Sequence, residues 1–277
     1  FLVLSARTKY RDGEAPGGGG LDKKLYNIAA AIELLHMATL VHDDILDDAE
    51  IRRGNPSIHV RHGQRRAVLL GDFLFSRCFS LVADYASVEN ARDIARGVAA
   101  ICRSEMKEKQ PENATSIREY LHRIIGKTAV LFAMSFYVGA VENGIALEQT
   151  SLLRRIGYNI GMGFQVTDDI LDLEGSDKLL GKPIGSDIRE GLKTLPVIYA
   201  LKTANGSLSA YLKKSSYTKE DISAIVRMVR EAGGIRKAEE YAHSYTLRAI
   251  KEIDRLPESS NRGTLRKIAA ELLYREY

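Results

Sequence analysis

Tryptophan is absent from this 277-residue chain, and cysteine is nearly so, with only Cys78 and Cys102. Both cysteines lie in apolar stretches without metal-ligand spacing. They argue against a disulfide scaffold or a thiolate centre and read as reduced core residues of a cytoplasmic protein. No uninterrupted run of about 18 uncharged apolar residues occurs, so a membrane span is not expected. Strand signals are missing too, since no alternating segment is followed by a hairpin turn. Neither sign of charge is in excess: 40 Lys and Arg face 36 Asp and Glu, a net charge of +4. That balance is too mild for a nucleic-acid partner but suits anionic, phosphorylated substrates. The basic residues Arg61, Arg65 and Arg66 lack the aromatic interleaving of a nucleic-acid surface.

What the chain has is helical periodicity. Only six prolines interrupt it, and 45% of residues are apolar. From 22 to 50, Leu25, Ile28, Ala29, Ile32, Leu35, His36, Thr39, Leu40, Asp43 and Asp47 recur at three and four, the spacing of one helix face. Segments 64–85, 88–109, 116–143, 147–174, 194–204, 218–231, 234–255 and 261–275 read the same way. Several are apolar on more than one side, which predicts burial inside a layered helical body. Gly54-Asn55-Pro56 is expected to close the second helix. Residues 175–196, rich in Gly, Lys and Asp, are expected to form a long polar loop or lid.

One pentapeptide occurs twice. Asp43-Asp44-Ile45-Leu46-Asp47 ends one apolar helix, and Asp168-Asp169-Ile170-Leu171-Asp172 ends another. Carboxylates four apart share a helix face and repel each other unless a cation neutralises them. A single copy would read as a solvated helix end. Two identical copies, each at the end of an apolar helix, point instead to a pair of Mg²⁺-binding clusters able to clamp a diphosphate. Mg²⁺ takes one or two carboxylates and completes its shell with phosphate oxygens and water.

Further ordered segments accompany the pair: Glu33-Leu-Leu-His-Met-Ala-Thr-Leu-Val-His-Asp-Asp, Arg52-Arg53-Gly54, Gly71-Asp72, Lys127-Thr128-Ala129, Gly163-Phe-Gln-Val-Thr-Asp-Asp, and Gly181-Lys-Pro-Ile-Gly-Ser-Asp through Thr194-Leu-Pro. Together they resemble the trans-type polyprenyl diphosphate synthases, and the likeness runs along all of residues 1–277. The resemblance implies an all-α, single-domain bundle of the isoprenoid synthase type with the two acidic motifs facing a central cavity. It also implies a homodimer, or a heterodimer with a small subunit. The implied reaction condenses isopentenyl diphosphate with an allylic diphosphate through an allylic cation, and the long product is handed to the membrane.

By the same resemblance, Asp43, Asp44, Asp47, Asp168, Asp169 and Asp172 hold Mg²⁺, three ions when diphosphate is bound. Arg52, Lys127, Lys182 and Lys193 are implied to contact the allylic diphosphate, and Arg53 and His36 the isopentenyl diphosphate. Thr128 and Gln165 are implied as supporting contacts. Read without the family, Arg52 and Arg53 could be an exposed helix-end pair, and His36 a satisfied core histidine. Lys193 stands one position away from the usual Gly-Lys-x-Thr order. Ser104-Glu-Met-Lys-Glu departs from the usual Gly-Glu-x-x-Gln. The family's Gly-Gly-Lys-x-x-Arg-Pro segment is expected upstream of Phe1, because Phe1-Leu-Val-Leu resembles the residues that follow it.

Product length depends on what lies below the first motif. Leu35, Ala38 and Thr39 occupy the preceding turns, where shorter-chain members place aromatics at the 38 and 39 positions. Small residues there imply a long product, of the hexaprenyl to octaprenyl class. Phe73, Phe75, Phe79 and Tyr85 on the next helix could block growth but read first as core. Terpene cyclases share the ionisation chemistry yet carry a different second motif. Non-catalytic partner subunits usually lose one motif, and both are intact here.

Overall fold

The computed structural model describes residues 19–52, 54–108, 116–175, 184–203, 206–214 and 216–273. The expectations for Arg53, Lys182, the start of the chain and residues 176–183 of the proposed lid lie outside them. In chain order the elements are α1 (Gly19–Leu46), β1 (Ile51–Arg52), β2 (Asn55–Pro56), α2 (Ile58–His62), α3 (Gln64–Tyr85) and α4 (Val88–Glu108). Next come α5 (Ile117–Ile124), a π-turn (Ile125–Ala129), α6 (Val130–Glu142) and α7 (Leu147–Glu174). The chain ends with α8 (Ser186–Arg189), α9 (Leu195–Thr203), α10 (Ser207–Tyr211), α11 (Lys219–Glu231), α12 (Gly234–Ile253) and α13 (Ser260–Leu273). The fold is the all-α bundle that the helical periodicity predicts.

Helix α7 is the hub. It is buried on nearly every side, from Leu152 and Ile156 to Ile170 and Leu173, as an all-round apolar helix must be. One apolar cluster joins its C-terminal half to α5, α9, α11 and α12 through Tyr120, Met162, Val166, Ile198, Ile225 and Tyr245. A second joins its N-terminal half to α6, α12 and α13 through Phe136, Ile156, Ile160, Ile253 and Leu265. Gly157 and Gly161, one turn apart, face the backbone of Phe132 and Ala133 and that of Ala129. A Cβ at either position would strike main chain, so α7 lies against α6 more closely than side-chain-bearing helices can.

A third cluster ties α1 to α3, α4 and α6 through Leu25, Ile28, Leu35, Cys78, Val82, Ile94, Met134 and Val138. Lys24 Nζ, near the start of α1, lies 2.5 Å from Glu142 Oε2 at the end of α6, so the two helices run antiparallel. At 1.5 Å per residue, Asp43 stands ~28 Å along α1 from that tether. It therefore shares the end of the bundle where the π-turn begins. Helix α7 is also antiparallel to α6, with Gly157 beside Ala133 and Gly161 beside Ala129, and Asp169 accordingly reaches the same end.

Several expectations need correction. The first helix ends at Leu46, where Asp48 turns to a positive φ of 51°. Gly54-Asn55 does not close a helix but turns an antiparallel pair with Ile51 opposite Pro56 and Arg52 opposite Asn55. Two residues per strand are too few to show alternation. Residues 117–142 run as one continuous helical stretch, but its middle widens into the π-turn. Residues 186–189 are helical within the expected loop. Phe73 and Phe79 are exposed on α3, at 59% and 45%, rather than core, and Cys102 is exposed as well. Helices Lys23–Leu46 and Ile117–Glu142 are long and apolar enough to cross a membrane by composition alone. The bundle buries 39% of the apolar window of the first and 50% of that of the second.

The Glu142 carboxylate also accepts from Asn90 Nδ2 at 2.7 Å and from the Ser87 N–H at 2.7 Å. Burial raises its pKa, but the donors Lys24, Asn90 and Ser87 outweigh that and leave it below the ordinary range. A depressed carboxylate stabilises the fold above its unfolded pKa, and that contribution disappears as pH falls through the folded value. Glu142→Gln should therefore lower the urea midpoint near pH 7, and the difference from the parent should shrink below about pH 4, near the unfolded carboxylate pKa.

Candidate active site

The first motif is built by the last turn of α1. The Asp47 N–H still donates to the Asp43 carbonyl at 2.8 Å, so all three carboxylates keep helical spacing. Asp43 and Asp47 are half-buried, while Asp44 is only 3% exposed. A buried carboxylate needs a donor or a cation beside it, and Asp44 has Arg52, whose Nε and Nη2 both donate to Oδ1. The hairpin that was not anticipated is what delivers Arg52. On the other side, the His42 ring sits 3.3 Å from the Val68 carbonyl and 3.5 Å from Asp72 Oδ1. Gly71 faces that ring, and a Cβ there would collide with it, so the Gly71-Asp72 pair lets α3 close on the motif. His36 is half-buried two turns below Asp43, and its carbonyl accepts the Thr39 hydroxyl at 2.8 Å.

The second motif is more deeply set. Asp168 is half-buried, while Asp169 and Asp172 are 3% and 1% exposed. Asp169 Oδ2 accepts the Tyr120 hydroxyl at 2.6 Å, and its Oδ1 accepts Gln165 Nε2 at 2.9 Å. Gln165 Oε1 in turn accepts the Thr128 hydroxyl at 2.5 Å. Burial and then the nearby charge of Asp187 push the Asp169 carboxyl up to about 8, against the opposing hydrogen bonds from Tyr120 and Gln165. Burial and then the Asp169 charge drive the Tyr120 phenol well above its usual range, which keeps it a donor.

Lys127 and Thr128 are presented by the π-turn, a widened turn that recurs at functional sites. Ser104 backs this turn: its Oγ donates to the Arg123 carbonyl at 3.0 Å, and its Cβ lies against Gly126. The Lys193 carbonyl accepts Arg123 Nη2 at 3.0 Å, which fixes that lysine's backbone beside α5. Thr128 and Gln165 are thus brought together with Asp169, and Arg52 with Asp44.

Asp172 behaves differently from its two neighbours. Its Oδ1 accepts the Ser186 hydroxyl at 2.6 Å, its Oδ2 accepts the Asp187 N–H at 3.2 Å, and its carbonyl accepts the Gly185 N–H at 2.8 Å. It caps the start of α8. Tyr120, Asp187 and Ser186 were not foreseen as site residues. Tyr120 stands seven residues before Lys127, two turns along the same face, and that spacing was the available signal.

Among the described residues, no three His, Cys, Asp or Glu side chains converge into a set able to hold a metal by themselves. The motif donors are nonetheless all carboxylates, three of them buried. Such a set fits a hard divalent cation that draws its remaining ligands from a bound diphosphate.

The polyprenyl synthetase family model matches residues 13–229. The chain belongs to that family, and with it to the prenyltransferases. It is 34% identical over 279 residues to heptaprenyl diphosphate synthase component 2 of Geobacillus stearothermophilus, covering 100% of this chain and 84% of that protein. It is 37% identical over 282 residues to the short chain isoprenyl diphosphate synthase of Methanothermobacter thermautotrophicus, covering 95% and 83%. It superposes with a TM-score of 0.90 and 30% identity on a polyprenyl synthase from Caulobacter crescentus CB15 complexed with calcium and isoprenyl diphosphate, covering 100% and 83%.

Removing the cap on α8 should release the segment that follows the second motif. Asp172→Ala deletes two hydrogen bonds made by a buried carboxylate, at a cost of about 1–3 kcal/mol. The Asp187 amide should then exchange with deuterium at least ~10-fold faster, while amides in α3 stay unchanged.

Proposed function

We propose that this chain joins isopentenyl diphosphate head-to-tail to an allylic diphosphate and makes a long all-trans polyprenyl diphosphate. What supports this reading is the placement of both acidic motifs, with Arg52, Lys127 and Thr128, at one end of the bundle. The allylic carbon–oxygen bond breaks with its electron pair on the departing diphosphate. The homoallylic double bond adds to the allylic cation, and the released diphosphate takes the proton. Up to three Mg²⁺ ions, held by Asp43, Asp44, Asp47, Asp168 and Asp169, would supply the positive charge that stabilises the leaving diphosphate.

Each side chain then has a task. Arg52 can turn its fork from Asp44 to phosphate oxygens, a match of planar geometry that a lysine lacks. Lys127 and Lys193 add point charges, with Lys182 beside them in the family pattern. His36 and Arg53 serve the isopentenyl diphosphate. Thr128 and Gln165 align Asp169. Asp172, the last carboxylate of the second motif, also anchors the 184–190 segment through Ser186 and the Asp187 N–H.

Ala38 is fully buried one turn below the first motif, and Leu35 lies below it in the third cluster. Thr39 turns its hydroxyl back on the helix. Positions 35, 38 and 39 carry no aromatic side chain, which favours a long tail. The relatives' names range from short-chain to nonaprenyl, so a shorter product is the alternative that sizing must decide. The exposed face of α3, with Leu69 at 59% and Phe73 at 59%, suits a second copy of the chain. A small partner subunit is the other candidate for that face, given the component 2 relative. The free cysteines fit a cytoplasmic setting.

The test is incubation of the full-length protein with Mg²⁺, farnesyl diphosphate and labelled isopentenyl diphosphate, followed by sizing of the extracted prenols. A ladder ending at one long prenol is expected. Asp43→Ala should reduce incorporation by about 10²–10³-fold, and Ala38→Phe should shorten the final prenol. Products without label from isopentenyl diphosphate would sink the condensation reading in favour of a cyclase.

A further inference from the structure

Tyr120 is the largest fully buried side chain in the described bundle, and its hydroxyl is spent on one carboxylate. The Asp169 carboxylate sits on an sp³–sp² torsion, a broad two-fold well that does not by itself hold the plane of the group. Two donors hold it, one on each oxygen. Gln165 comes from α7, four residues before Asp169, and moves with the helix it is meant to steady. Tyr120 comes from α5 and is the donor that ties this carboxylate to another element.

The neighbours of Tyr120 extend the link. The Arg123 guanidinium lies 5.5 Å from the centre of the Tyr120 ring and donates to the Lys193 carbonyl. One turn further on, the π-turn carries Thr128, whose hydroxyl reaches Gln165 and so returns to Asp169 from the other side. Helix α5 and the π-turn thus grip the second acidic motif at two rungs, Tyr120 to Asp169 and Thr128 to Gln165. The same short stretch of chain carries Lys127 and holds the backbone of Lys193.

We propose that Tyr120 is a positioning residue: its hydroxyl sets the orientation in which Asp169 meets the divalent cation, and it ties that carboxylate to the lysine-bearing side of the site. The inference rests on the reading of Asp169 as a metal ligand. Outer partners of metal-ligating groups commonly change metal affinity by about 10–100-fold when removed. Tyr120→Phe removes the donor and keeps the ring packed beneath Arg123. Tyr120→Met fills much of the same space without a donor and serves should the phenylalanine variant fold poorly.

The measurement is calorimetric binding of inorganic diphosphate at a series of Mg²⁺ concentrations, with the melting temperature of each protein recorded in the absence of metal. Tyr245→Phe, a buried tyrosine on α12 away from the carboxylates, is the control for simple loss of a buried hydroxyl. Tyr120→Phe should need about 10–100-fold more Mg²⁺ for half-maximal diphosphate binding, while Tyr245→Phe keeps the parent midpoint. Equal Mg²⁺ midpoints in the parent and Tyr120→Phe would overturn the inference, whatever the melting temperatures. If the parent itself shows no Mg²⁺-dependent diphosphate binding, the metal reading of the site falls, and the positioning role falls with it.

Discussion

Burying a carboxylate is costly unless a donor or a cation accompanies it, and this bundle buries three in its two acidic motifs. Asp44, Asp169 and Asp172 are each almost closed to solvent, and each is answered differently. Asp44 is met by a guanidinium, Asp169 by a phenol and an amide, and Asp172 by a hydroxyl and a backbone N–H. The rest of the architecture supplies these partners. The 51–56 hairpin brings Arg52, α5 brings Tyr120, and the segment after α7 folds back to bring Ser186 and Asp187. Asp43 and Asp168, by contrast, remain half-exposed at the same end of the bundle. Each motif thus sets carboxylates buried against protein donors beside at least one that stays half-exposed.

This division shows which parts of the structure the sequence makes legible. The bounds of α3 and α7 follow directly from apolar spacing and from the glycines and turns that flank them. So do the two motifs and their place at helix ends. What stays hidden are features whose cause is non-local. Asp172 repeats the position of Asp47 in the pentapeptide, so spacing alone gives the two residues the same role. They differ because α8 returns to one and not the other. The π-turn is invisible because Ile125-Gly126-Lys127-Thr128-Ala129 keeps an acceptable helical pattern, and its widening answers to Ser104 on a different helix. Phe73 and Phe79 look like core by residue type but face outward, since α3 packs chiefly on α1 and leaves its other side uncovered.

The departure at Ser104 takes on a physical meaning here. Where the family pattern has glycine, this chain has a hydroxyl that reaches the carbonyl of Arg123, just before the turn widens. A π-turn disturbs the regular pairing of carbonyls with N–H groups, and a side-chain donor can satisfy a carbonyl displaced in this way. Gly126 accommodates the added Cβ. The substitution therefore exchanges backbone freedom on α4 for a fixed contact behind Lys127.

The same constraint bears on how α1 carries the first motif at its C-terminal end. Its N-terminal half is held firmly, by the third apolar cluster and by the Lys24–Glu142 pair at the far end of α6. A rigid helix anchored at one end transmits that placement along its axis to Asp43 without crowding it. At the motif end α1 packs through Ala38, Val41 and Asp44 while Asp43 and Asp47 stay half-buried. Firm anchoring along the helix and partial exposure at its last turn are thus two sides of one constraint: the carboxylates must be held in place yet stay within reach of a cation and its diphosphate.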